Sequence, residues 1–177
     1  MNTSAIPPPT STDMPLPAFI DVEASGLSRG SYPIEVGVVT STGSMYCSLV
    51  LPLPEWTHWD AAAERVHGIT RPILALHGKP VGDIARTLNT LLAQQTVYSD
   101  AWGNDMAWLS RLFDAAELPM RFRIEASRRL LDETQIEGWH ATKDAVTTEL
   151  ALARHRASSD ARILQLTYAR VKAGVRA

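Results

Sequence analysis

The run Ala18-Phe19-Ile20-Asp21-Val22-Glu23 alternates large apolar residues with acids, the period-two pattern of a strand emerging at a sheet edge. Downstream, Ile34 to Thr40 (IEVGVVT) and Met45 to Leu51 (MYCSLVL) are rich in β-formers, and Ser41-Thr42-Gly43-Ser44 between them suits a hairpin. These three strands predict an antiparallel meander. Beyond them the period changes. From Gly82 the spacing of Ile84, Leu88, Leu91 and Leu92 is helical, and Thr96 to Ser99 reads as a short strand. Asn104 to Ala116 predicts a helix with Met106, Leu109, Leu112 and Phe113 as its buried stripe, stopped by Pro119. Phe122 to Glu125 reads as a fifth strand. Helices follow over Asp144 to Arg154 and Ser159 to Ala173, the last capped by Ser158 or Ser159. Prolines 52, 54 and 72 and tryptophans 56 and 59 mark a loop-rich stretch whose fold the pattern leaves unassigned. Hairpin-linked strands pair antiparallel and helix-separated strands pair parallel. The expectation is an α/β fold: a mixed five-stranded sheet, antiparallel in its first three strands and parallel thereafter, flanked by helices.

At 177 residues and 19.4 kDa the chain is one domain's worth, long enough for its own core. Apolar residues make up 45%, charged residues 20%, and the net charge is -2, which excludes a disordered chain or a polycation. Residues 1–17 hold five of the eleven prolines and read as a disordered or extended tail; residues 18–177 read as a single domain. That amino terminus has neither the basic start nor the apolar core of a secretory signal, and no apolar run approaches the roughly 20 residues of a membrane span. Cys47 is the only cysteine, so intrachain disulfides are impossible and a reducing, cytoplasmic setting is expected. Charge is uneven. Near the carboxy terminus Arg154, Arg156, Arg162, Arg170, Lys172 and Arg176 have only Asp160 as a sequence-neighbouring acid, which fits a solvated helix surface or an attraction for polyanions.

Chemistry is carried by acids that local structure aims in common directions. Asp21 and Glu23 leave the same strand face about 7 Å apart, near enough to share a cation. Asp105 and Asp160 each stand at a helix start, where an acid is also an ordinary partner of the positive helix end. His155 lies five residues before Asp160.

As an ordered set these residues resemble the DEDD exonucleases. Phe19-Ile20-Asp21-Val22-Glu23-Ala24-Ser25-Gly26-Leu27 is similar to their first motif, Asp-x-Glu on a strand before a small-residue turn. Arg65-Val66-His67-Gly68-Ile69-Thr70 looks like the His-Gly-Ile-Thr segment that follows the third strand. Ser99 to Leu109, with Asp105 before x-x-aromatic-Leu, resembles the second motif, and His155-Arg156-Ala157-Ser158-Ser159-Asp160-Ala161 the third, of the histidine-bearing subgroup. The resemblance implies a ribonuclease H-like fold in which the first strand lies centrally and Asp21, Glu23, Asp105 and Asp160 converge at one end of the sheet. It implies two magnesium or manganese ions, the hard cations that oxygen ligands select. Asp21 would bridge both, Glu23 and Asp160 complete one site and Asp105 the other. His155 would be the general base, an imidazole titrating near neutrality. Gly26 and Leu27 would seat the terminal nucleotide. The implied activity is 3'-5' exonuclease action at the 3' end of single-stranded DNA or RNA, releasing nucleoside 5'-monophosphates.

This chain departs from the family where relatives carry His-Asn and it has Asp100-Ala101, and where they carry Phe and it has Asn104. Asp100 is then a strand-end acid or an added polar contact, the strand-end acid being favoured. Trp102 and Trp108 can stack on a base or pack in the core, the core being favoured for Trp108. His67 reads as a turn residue, and Cys47 as packing. Two other readings stay open: a catalytically silent nucleic-acid-binding or adaptor protein on this fold, and a hydrolase of small phosphoesters. DNA against RNA, and a homodimer or polymerase-type partner, are not legible here.

Overall fold

The computed structural model describes residues 15–152 and 154–174. The proline-rich tail falls outside the described residues up to position 14, as does Arg176. The strands are β1 (Ala18–Ala24), β2 (Pro33–Val39), β3 (Met45–Leu49), β4 (Thr96–Ser99) and β5 (Arg123–Ala126). The helices are α1 (Ala61–His67), α2 (Arg71–His77), α3 (Val81–Leu91), α4 (Trp102–Ala115), α5 (Glu133–Leu150) and α6 (Ala157–Lys172).

One five-stranded sheet runs β3-β2-β1-β4-β5. β1 pairs antiparallel with β2, and β2 with β3; β1 pairs parallel with β4, and β4 with β5. The mixed sheet is thus the expected one. β1 is its centre, as the resemblance implies, and not the edge that its alternation suggests. Phe19 and Ile20 are both fully buried because helices cover both faces, so alternation here separates two cores and not core from solvent. Ile20, Val22, Ile34, Val36 and Val38 meet Ile84, Leu88, Leu109 and Leu112 on one face. On the other, Phe19 and Val39 meet Trp139, Ala161 and Leu164 of α5 and α6. Asp21 and Glu23 continue the Phe19 row, and Glu35 and Gly37 the Val39 row.

The hairpin closes as expected: Thr40 N–H donates to the Ser44 carbonyl (2.9 Å), and Gly43 takes the turn's positive φ of 82°. The unassigned stretch holds α1 and α2. Asp60 accepts from Ala62 N–H at 2.7 Å and opens α1; Thr70 caps α2, with Pro72 in its first turn. Between them Gly68 terminates α1 in the left-handed conformation (φ 68°), and Ile69 is buried. The His-Gly-Ile-Thr segment is therefore a helix end, a turn, a core anchor and a helix start. His67 belongs to α1, not to the turn, and it is buried.

Two helix boundaries differ from the sequence pattern. α5 begins at Glu133, not Asp144, because Asp132 and Gln135 form a reciprocal capping box. It ends at Leu150, short of Arg154. α6 begins at Ala157, ahead of both serines expected to cap it, and no side chain of its own segment caps it. Its cap comes from β2. No helix among the described residues is long and apolar enough to cross a membrane.

Candidate active site

β1 pairs with β4 only through Ala18 and Phe19, so its carboxy-terminal half runs past the end of β4. There β4 turns into α4, while β2 still flanks the other side. The gap is the crevice at the carboxyl end of parallel strands where a sheet changes direction, a position suited to ligands. Asp21 and Glu23 lie along it. Asp105 enters from α4, packed on one sheet face, and Asp160 from α6, packed on the other.

The carboxy-terminal partner of this crevice is set by β2. Gly37 stands opposite Asp21 in the ladder, and a Cβ there would meet Ala157 C and Ser158 N at 2.1 Å each. Only glycine lets the first turn of α6 lie on the strand. Beside it the fully buried Glu35 carboxylate accepts from Ala157 N–H (2.9 Å) and from Arg156 Nε and its terminal nitrogen (3.1 and 2.6 Å). One acid thus caps α6 and holds Arg156 in a fork. His155 is forced into the left-handed region (φ 58°), a strained state for a residue with a Cβ. Asp160 Oδ2 accepts from its N–H at 2.9 Å and fixes it.

As a result Glu23, His155 and Asp160 offer ligand atoms that all lie within 4.8 Å of one another. Asp21 and Asp105 stand outside that triplet but within its field. Burial pushes the Asp21 carboxyl well up, and Asp105, Glu23, Asp160 and Asp100 add to it. Burial raises Glu23 to about 7, with Asp160 and Glu35 adding, against a smaller opposing effect of Arg156. Asp105, 1% exposed, rises to about 7, also chiefly by burial; the Ser99 hydroxyl and the Val22 amide pull the other way. Ser99 donates to Asp105 Oδ2, and Oδ1 is buried with no hydrogen-bond partner among the described residues. Asp160 is raised by burial, against the neighbouring Arg154. Acids crowded so that each resists ionisation, one with an orphaned oxygen, form a set that a hard cation fits.

Gly26 follows in the turn after β1, buried, with φ 154°; a Cβ there would meet His58 Cε1 at 2.8 Å and Asp60 Cβ at 2.9 Å. Leu27 beside it is 79% exposed. Asp100 is the added polar contact: it accepts from Lys143 Nζ (2.6 Å) and Ser127 Oγ (3.1 Å), tying the end of β4 to α5. Trp108 packs against the core, whereas Trp102 is 44% exposed. Cys47 is exposed, not packed away, and its thiol approaches Glu35 Oε1 at 3.4 Å. Three of the described basic residues near the carboxy terminus are engaged by acids. Arg156 pairs with Glu35, Arg170 with Glu149, and Arg154 leans on Asp160.

Glu35 and Gly37 were not singled out from the sequence, yet a charge and a glycine inside Ile-Glu-Val-Gly-Val-Val are the signal for them: a buried acid needs a partner, and a strand glycine marks close approach.

No family model matches the chain, and no curated protein matches it. Solved structures do. Escherichia coli exonuclease I in complex with a 5cy-dT13 oligonucleotide matches with a TM-score of 0.66 at 12% identity, over 89% of this chain and 40% of that one. The zinc-ion-bound form of the E. coli exonuclease I complex with single-stranded DNA gives 0.64 at 14% identity, over 88% and 40%. Exonuclease I from Methylocaldum szegediense gives 0.64 at 12%, over 86% and 41%. The chain spans about two-fifths of the length of these proteins. At this identity the likeness is one of fold: the sheet and its helices are the ribonuclease H-like arrangement.

Proposed function

We propose that this protein is a metal-dependent 3'-5' exonuclease of single-stranded nucleic acid, of the DEDD type with histidine, releasing nucleoside 5'-monophosphates. The observation that carries the reading is the convergence of Asp21, Glu23, Asp105, His155 and Asp160 at the open end of β1, on a fold shared with exonuclease I. Asp21, Glu23, Asp105 and Asp160 would hold magnesium or manganese, as two ions. When bound, such cations neutralise the phosphodiester's charge and lower the pKa of water. His155 accepts a proton from the attacking water at the ring nitrogen facing Glu23 and Asp160. Gly26 and Leu27 seat the terminal nucleotide, the exposed Leu27 side chain giving the base an apolar surface. The expected setting is reducing and cytoplasmic.

The test is digestion of matched 5'-labelled single-stranded DNA and RNA with magnesium. A ladder shortening from the 3' end supports the reading. An intact strand that stays bound would make the protein a silent binder, and hydrolysis of small esters alone a phosphohydrolase. Asp105→Asn is expected to abolish the ladder.

A further inference from the structure

Beyond Asp100 a cavity of about 530 Å3 opens outside the ends of β4 and β5. That is within the range of small-molecule sites, roughly 300–1,000 Å3. A smaller cleft of about 230 Å3 holds Asp21 and Asp160, and Asp100 and Ala101 line both. The wall between them is braced, since the Asp100 carboxylate is engaged by Lys143 and Ser127. A phosphate passing over it meets a paired acid and not a bare one.

Three features of the larger cavity select its ligand. Trp102 lines it and is 44% exposed, while its Nε1 donates to the Ile124 carbonyl at 2.9 Å. The indole is pinned by its edge and ready to stack, a contact every base can make. Trp139 lines the same cavity, is 4% exposed, and has an indole N–H without an acceptor among the described residues. Such a donor is costly, and because the nitrogen itself is covered, a ligand oxygen or ring nitrogen in the cavity meets it only on a shift of the indole edge. Ala101 puts no side-chain cap on the 14-residue α4, and Gly103 there faces open space. Arg128, also lining the cavity, is exposed and makes no ion pair among the described residues. An uncapped helix start and an unpaired guanidinium fit a phosphate.

We propose that this cavity is a second nucleotide subsite, taking the base and phosphate of the nucleotide next to the one in the carboxylate cleft. The assignment rests on the exonuclease reading, in that it presumes a strand entering by its 3' end. A free nucleoside monophosphate has the same chemistry, and the experiment separates the two.

Binding of 5'-fluorescein-labelled dT8 in EDTA is followed by anisotropy, with dTMP as competitor, for wild type, Trp102→Ala and Trp139→Phe. The phenylalanine variant removes the N–H donor together with one ring of a buried indole, so circular dichroism and urea unfolding check the folds of both variants. Loss of a stacked base predicts that Trp102→Ala weakens dT8 binding at least about tenfold. A smaller loss, about threefold or more, is expected for Trp139→Phe. Unchanged dT8 binding in both variants would overturn the subsite. Weakened dTMP with unchanged dT8 would overturn the strand assignment and make the cavity a free-nucleotide site. The wild-type ladder assay reads the exonuclease hypothesis separately: a ladder with unaltered variant binding rejects the subsite alone, and no ladder with impaired variant binding rejects catalysis while supporting the subsite.

Discussion

Replacing Asp105 by asparagine should make the protein more stable and inactive at once. Asp105 is 1% exposed, has Oδ1 without a partner among the described residues, and is raised by burial from its ordinary 3.8 to about 7. A carboxyl with a higher pKa folded than unfolded binds its proton more tightly in the fold, so stability is greatest below about pH 4 and falls as pH rises towards 7. At 1.36 kcal/mol per pH unit, ionised Asp105 costs the fold about 4 kcal/mol above pH 7 as an upper bound, part of it shared with Asp21. Asparagine keeps the shape, leaves an oxygen for the Ser99 hydroxyl, and carries no charge. In EDTA at pH 8 the variant is therefore expected to gain about 2–4 kcal/mol, or roughly 5–15 °C in Tm. At pH 4.5 the gain should fall to about 1 kcal/mol or less, since most of the unfolded-state carboxyl is still ionised there. Urea unfolding followed by the fluorescence of the five tryptophans measures both. Added magnesium should then stabilise the wild type and not the variant. A variant less stable than wild type at pH 8, or a gain independent of pH, would refute the argument that a buried, unpaired carboxylate is held here against its own solvation.

Other variants test the way α6 is held. Gly37→Ala should displace the start of α6 and cut turnover by at least about 100-fold, since misplacement of about 1 Å at a site can cost that much; wild-type rates would show that the close approach to Ala157 is dispensable. Arg156→Ala leaves Glu35 buried with only Ala157 N–H and the Cys47 thiol, and is expected to cost about 3 kcal/mol in urea unfolding, against a smaller loss for the double variant with Glu35→Gln. His155→Ala should lower kcat about 100- to 10,000-fold while calorimetry finds magnesium binding retained; loss of binding would instead make the imidazole a ligand.

Much of this was legible along the chain because it rests on local rules. Period-two alternation fixes that Asp21 and Glu23 share a face, whichever sheet they join. The stripe through Leu109, Leu112 and Phe113 requires a helix whatever it packs on. Motif spacing carried Asp105, His155 and Asp160. Less local features were harder to read. α5 is only weakly two-faced, burying Trp139, Thr142 and Val146, so its start depended on the Asp132 capping box. The arginines near the carboxy terminus looked unpaired because their acids, Glu35 and Glu149, lie far away in sequence or on another helix.

Residue identity and spacing alone determined that Asp21 and Glu23 share a face and that the strongly patterned segments are strands or helices, since those follow from backbone geometry within a few residues; α1, α2 and the start of α5 were not legible in the pattern. Tertiary structure decided that Gly37 admits α6 against the sheet, and that one buried carboxylate on β2 caps that helix and sets His155 and Asp160 beside Glu23. The reason is the range of the forces involved. Hydrogen-bond periodicity acts over one turn or one pleat, whereas burial and unscreened charge act between residues that only the closed fold brings together.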